Sequence, residues 1–127
     1  MDKSEEIDLS HILKAQKIFE SFRKDLTTDK DKTAVVQTFE FCYELSWKLM
    51  NRVLRSRSVE VGYAKDTFRK AVHEQLIDDP EIWIRFQNVR NLTSHSYNKE
   101  SLEEIISILD VFSHEMNKLI LKIQSLQ

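Results

Sequence analysis

Apolar positions recur along this chain at steps of three and four, the period of a helix with one buried face. Ile12, Ala15, Phe19, Phe22 and Leu26 make the first stripe, which opens near Asp8 or Ser10, either able to cap a helix N-terminus. The polar run from Thr27 to Asp31 predicts a loop. From about Lys32 to Ser56 two stripes run side by side. One is Val36, Phe39, Tyr43, Trp47, Met50 and Leu54; the other is Val35, Cys42, Leu45, Leu49 and Val53. So wide an apolar face predicts a central helix that touches several neighbours. A shorter helix capped by Asp66 carries Phe68, Ala71, Val72 and Leu76, with Gly62 in the linker before it. Asp79 and Pro80 read as the cap and first position of a helix bearing Ile82, Trp83, Phe86, Val89 and Leu92. The last pattern opens near Asn98 or Ser101 and runs through Leu102, Ile105, Leu109, Phe112, Met116, Leu119 and Ile123.

Four long helical segments and one short one, joined by short linkers, predict an all-α fold. The expected architecture is an up-and-down four-helix bundle with an additional short helix, in one domain over residues 1–127. One Gly and one Pro leave little material for the tight turns of a sheet. The single Cys42 rules out an internal disulfide framework and, lying in an apolar stripe, reads as a small core hydrophobe. The N-terminus is acidic and lacks an apolar signal region, and no apolar run has the length of a membrane span, so a cytoplasmic domain is expected.

Lys plus Arg is 19 and Asp plus Glu is 21, a formal charge of −2. Such a field does not draw the whole chain onto nucleic acid, so any RNA contact needs a local basic patch. Lys48, Arg52, Arg55 and Arg57, then Lys65, Arg69 and Lys70, are the candidates. Cations at a helix C-terminus are equally what the helix dipole favours.

Polar chemistry is concentrated in Arg90-Asn91-Leu92-Thr93-Ser94-His95-Ser96-Tyr97-Asn98, between two helical patterns. Backbone carbonyls go unpaired at such a helix end, and side chains can converge there. Arg90 and His95 are five residues apart, so in a straight helix they point about 140° from each other. They act together only if the helix ends or distorts between them, or if a second copy of the chain supplies the partner. The plainer alternative is that both serve the last carbonyls and the dipole. Tyr97 alone reads as a half-buried packing residue with a wet hydroxyl. Glu40 and Glu44, one turn apart, lack a matched histidine and read as a solvated or ion-paired face, with Lys48 four residues after Glu44. His11, His73 and His114 share no common spacing. No Gly-rich phosphate loop and no metal-ligand cluster is present, so neither cofactor nor metal is expected.

Arg, four residues, then His is the signature of the HEPN family. The longer form here, Arg90-Asn91, Ser94-His95 and Tyr97, resembles the HEPN branch paired with minimal nucleotidyltransferases. Gln37, Phe39, Glu40, Cys42, Glu44, Leu45, Trp47 and Lys48 resemble that branch's second-helix pattern; Ala71, Leu76-Ile77-Asp78 and Trp83 resemble the segment before its signature. The likeness runs from about Phe19 to Ile120. It departs where Ala64 or Lys65 replaces a usual proline and Gln75 a usual glycine.

The resemblance implies a helical bundle that forms a homodimer, bringing two signatures together, and a separate nucleotidyltransferase chain as partner. It implies one of two activities. The first is a toxin-like, metal-independent ribonuclease that the partner neutralises. His95 would move a proton, Arg90 would hold the phosphate, Asn91 and Ser94 would support it, and Tyr97 would be the site of modification. The second is a non-catalytic subunit that binds nucleotide or substrate for the transferase.

Overall fold

The computed structural model describes residues 6–92 and 98–127. Among them are six helices and no strand: α1 (Ser10–Phe22), α2 (Asp29–Ser56), α3 (Ala64–His73), α4 (Pro80–Leu92), α5 (Lys99–Ser107) and α6 (Leu109–Ser125). The all-α expectation holds, and α2 packs against each of the other five helices, as its double stripe requires.

Four local expectations need correction. Helix α2 begins at Asp29 and not near Lys32, because Thr28 closes a capping box: its hydroxyl accepts the Asp31 N–H at 3.0 Å while the Asp31 carboxylate takes the Thr28 N–H at 3.1 Å. Leu9 stands at the N-cap of α1, and Asp8 serves the helix from one residue further out by accepting the Ser10 N–H at 2.9 Å. Asp66 lies inside α3, with Tyr63 at the N-cap, and its carboxylate reaches back to the Gly62 N–H at 2.9 Å. The last helix is two. Asn98 caps α5 through the Ser101 N–H at 2.8 Å, and Ile108 interrupts the run. There the Ser107 hydroxyl bonds the Glu104 carbonyl at 2.6 Å and the Ile108 N–H closes a tighter turn onto Ile105 at 3.2 Å. Serine back-bonding of this kind bends a helix. Ile105, Ile108, Leu109 and Phe112, at the i, i+3, i+4 and i+7 spacing of one helix face, are all buried across the interruption.

The core centres on Phe112. Its ring meets Phe39 at 4.9 Å, Phe86 at 5.2 Å, Phe19 at 5.6 Å and Trp83 at 6.1 Å, all near edge-to-face. Four helices are thereby joined at one ring. Cys42 is fully buried, as its stripe position predicts, and burial pushes its thiol up to about 12. Phe22 leaves the expected stripe and is 43% exposed.

Two helices are followed by a left-handed residue that is not glycine. Ser58 and Gln75 sit at φ 61° and 64°, in the left-handed region. After α3, the Leu76 N–H bonds the Ala71 carbonyl at 2.8 Å and the Gln75 N–H bonds Val72 at 3.0 Å, a Schellman motif. After α2, Val59 to Leu54 at 2.9 Å and Ser58 to Arg55 at 3.0 Å repeat it. The turn where the resembled branch carries glycine thus keeps a glycine-like shape around Gln75.

Candidate functional site

Pro80 starts α4, capped by Asp79, whose carboxylate accepts the Glu81 N–H at 2.9 Å. From that fixed start the helix buries Trp83, Phe86 and Val89. It delivers Arg90 to its last turn, facing the middle of α2. There the guanidinium meets two carboxylates. Arg90 Nε stands 3.4 Å from Glu44 Oε1, and Arg90 Nη2 stands 3.8 Å from Glu40 Oε2. Glu44 is itself oriented by the Trp47 indole N–H, at 3.1 Å from its Oε2. The side chains are about one quarter to one third exposed, 27% for Arg90, 28% for Glu40 and 36% for Glu44. The site lies at the surface, where an anion can reach it.

Glu40 and Glu44 therefore form the ion-paired face that their spacing allowed, but Glu44 pairs with Arg90 and not with Lys48. A one-turn carboxylate pair matched to one arginine fixes the plane of the fork, which a single carboxylate does not. Inward of this cluster, Tyr43 is buried, and its hydroxyl is held well above the usual phenol range, first by burial and then by the Glu44 carboxylate, with Arg90 opposing. It stays a neutral donor. The Tyr43 hydroxyl and the Gln87 side-chain carbonyl, one turn before Arg90, are buried without a hydrogen-bond partner among the described residues.

Of the residues singled out from the sequence, Arg90 and Asn91 are described, in the last turn of α4. Ser94, His95 and Tyr97 lie outside the described residues. Sequence reasoning missed the Arg90–Glu40–Glu44 cluster, although Glu40 and Glu44 sit at the one-turn spacing that two carboxylates on one face require. The basic candidates divide. Arg57 bonds the Glu74 carbonyl at 2.8 Å, and Lys70 pairs with Asp66 at 2.9 Å and bonds the Glu60 carbonyl, so both tie the linker down. Lys48, Arg52, Arg55, Lys65 and Arg69 are exposed and enter no ion pair among the described residues. No helix among the described residues is long and apolar enough to cross a membrane.

Comparison with known proteins agrees with this architecture. A solved structure from Thermus thermophilus superposes with a TM-score of 0.82 at 22% identity, over 88% of this chain and 98% of that one, and shares the fold. A Haemophilus influenzae protein, whose structure is described as revealing the fold of a substrate binding domain of a nucleotidyltransferase, superposes with a TM-score of 0.82 at 27% identity, over 92% of this chain and 99% of that one. A Haemophilus influenzae protein named probable ribonuclease HepT is 35% identical over 91 residues, which is 67% of this chain and 62% of that relative's length. The family model described as nucleotidyltransferase substrate binding protein like matches residues 9–125. The chain therefore belongs to the family of nucleotidyltransferase substrate binding protein-like domains, the assignment that its resemblance to the nucleotidyltransferase-linked HEPN branch led us to expect.

Proposed function

We propose that this chain is the HEPN subunit of a two-protein system. It is a toxin-like, metal-independent ribonuclease that a separate minimal nucleotidyltransferase neutralises. The observation that carries this reading is Arg90, presented at the exposed end of α4 with its fork oriented by Glu40 and Glu44, five residues before His95. A rigid guanidinium is the group that stabilises charge building on a phosphate in transesterification. In the proposed reaction the ribose 2′-oxygen bonds to phosphorus and the bond to the 5′-oxygen breaks. The 2′-hydroxyl proton ends on that leaving oxygen by way of His95, whose ordinary pKa near 6.5 suits transfer in both directions. Asn91 and Ser94 support the phosphate.

Two copies bring two such sets together. An exposed apolar patch of Ile18, Phe22 and Phe41 borders a groove of about 180 Å³ between α1 and α2, beside the glutamate pair, and suits a second copy in a homodimer. Tyr97 is the site at which the partner acts: its phenol oxygen bonds to the α-phosphorus of a nucleoside triphosphate and pyrophosphate leaves. The added negative charge beside Arg90 then opposes RNA. Both steps belong to the cytoplasm.

A second reading has its own support in the family's description and in that of the second solved structure: a non-catalytic subunit that holds nucleotide or substrate for the transferase. Expression of the chain alone, beside His95→Ala, separates the two. Growth arrest and RNA cleavage by the wild type, both lost in the variant, support the ribonuclease. Intact RNA and normal growth with both chains leave the binding subunit as the account.

A further inference from the structure

The run Leu76-Ile77-Asp78, singled out in the sequence, takes no part in the Arg90 site. It forms one side of a groove of about 370 Å³, within the size range of ligand pockets. The other side is α6, through Glu115, Lys118, Leu119 and Leu121. Leu76, Ile77 and Leu119 are buried and give apolar walls, and Leu121 is 55% exposed at the rim. The groove borders the linker before Pro80, so it lies toward the opposite end of α4 from Arg90. Those two ends are roughly 15 Å apart along the helix axis.

The polar groups of the groove are matched unevenly. Lys118 Nζ is shared by two carboxylates, Asp78 from the linker and Glu115 from its own helix, the latter at 3.3 Å. Asp78 is mostly exposed, and the hydrogen bond and charge of Lys118, with the field of Lys122 behind it, hold its carboxyl below the usual range. Glu115 is placed differently. It is 8% exposed and lines the groove, and only its Oε2 is engaged, by Lys118. Its Oε1 has no hydrogen-bond partner among the described residues. Charged side chains are almost never this buried unless they are paired, and a carboxylate accepts at both oxygens. The group that completes Glu115 is therefore a cationic N–H donor entering from the groove. We infer that the groove docks a segment of a partner protein that carries an arginine or lysine flanked by apolar residues. The basic head bonds Glu115 Oε1, its alkyl stem lies along Leu76, Ile77 and Leu119, and an apolar neighbour covers Leu121. The structure already seats one alkyl-ammonium, that of Lys118, between these two carboxylates. A free small amine would meet Glu115 and leave the apolar walls and Leu121 in water, so the occupant is a length of chain. The docking is independent of either reading of the Arg90 site.

The test uses the full chain, isotopically labelled at nitrogen, and the peptide acetyl-Ala-Leu-Arg-Leu-Ala-amide. Amide shifts are followed up to about 10 mM peptide, which covers the millimolar affinity of one anchored side chain. Saturable shifts are expected on Leu76, Ile77, Glu115 and Leu119. Citrulline, the neutral isostere, in place of the peptide's arginine is expected to weaken binding by about ten-fold, the loss of a charge-assisted hydrogen bond to a buried carboxylate. Glu115→Gln is expected to cost about as much, with circular dichroism showing that the variant is folded. The citrulline comparison needs no variant and so stands whether or not Glu115→Gln folds. No saturable shift at these residues, or equal binding of the arginine and citrulline peptides, overturns the docking. If N-acetyl-arginine amide binds as tightly as the peptide, the groove is a small-amine site and the docking of a protein segment is overturned. If the same amides shift as the chain alone is concentrated, and Lys122→Glu removes that change, the occupant is the Leu121-Lys122 pair of a second copy and the separate partner is overturned. RNA cleavage enters none of these outcomes, so the docking and the ribonuclease reading fail separately.

Discussion

Arg90 on α4 and Glu44 on α2 stand 3.4 Å apart, nitrogen to oxygen, across 46 residues of sequence, and Glu40 completes the pair at 3.8 Å. The helix that ends in the signature is thus registered against the central helix at the residue proposed to meet phosphate. Such a contact at partial exposure contributes under about 1 kcal/mol to stability once solvent screening is counted. Its value lies in orientation. Glu44→Gln is expected to leave the melting temperature within a degree or two of the wild type, yet to lower RNA cleavage by about ten-fold through a misaimed fork. Arg90→Lys keeps the charge and loses the fork, and is expected to cost about ten- to a hundred-fold. Single-turnover cleavage beside thermal unfolding checks both. Unchanged cleavage by Glu44→Gln would reduce the pair to surface packing.

Gln75 takes a left-handed conformation at φ 64° that glycine adopts without strain. Gln75→Gly is expected to stabilise the chain by about 1 kcal/mol, with part of the gain offset by the freer unfolded chain. The urea midpoint should rise with the slope unchanged. Ser58→Gly after α2 should act the same way and add to it, because the two turns share no partner. A fall in the midpoint for Gln75→Gly would mean that the glutamine side chain holds the turn by contacts outweighing its backbone strain.

Much of this fold was legible because helices with one apolar face announce themselves by period. The two stripes over α2, the Asp79–Pro80 start of α4 and the burial of Cys42 follow from spacing alone. What was not legible is local competition for backbone groups. Nothing in the run Leu102 to Ile123 marks Ile108 as a break, since Ser107 diverts a carbonyl while the apolar stripe continues across the bend. The end of α2 at Ser56 was legible, but the end of α3 at His73 was hidden and Leu76 was read into that helix: the usual signal is glycine, and Gln75 stands in its place. At the site, Arg90 was legible as chemistry and its partners were not. Glu40 and Glu44 are separated from it in sequence by the whole of α3, and only tertiary packing brings them together.

Phe112 touches rings from α1, α2 and α4 at once. Truncating it removes the shared partner of Phe19, Phe39, Trp83 and Phe86 and leaves a void that four helices must collapse to fill. Phe112→Ala is expected to cost about 3–5 kcal/mol, a large share of the roughly 5–15 kcal/mol that holds a typical domain. Phe112→Leu, which keeps most of the volume, should cost less than half as much. Denaturant unfolding of both variants checks the order. Equal and small losses would show that the ring cluster is loosely packed.

Cys42 supplies a probe of opening. Its thiol is fully buried and pushed up to about 12, chiefly by the loss of water around the sulfur, with the Glu20 carboxylate adding to it. The reactive thiolate is therefore scarce and shielded in the folded chain, and a thiol-reactive disulfide at about pH 8 is expected to label it only as fast as the core opens. Labelling should be complete within minutes in denaturant and slow without it. The same group links stability to alkali. The unfolded thiol loses its proton near 9.0 and the folded one near 12, so above the lower value the unfolded chain binds fewer protons. Stability is then fully present below about pH 9 and declines as pH rises toward 12, with the buried Tyr43 phenol adding in the same direction above its ordinary value of 10.0. Cys42→Ala should remove its part of that decline, so that the difference in unfolding free energy between variant and wild type narrows from about pH 9 to 11. A constant difference across that window, or rapid labelling of the native chain, would show that the sulfur is not held in the dry core where the α2 stripe places it.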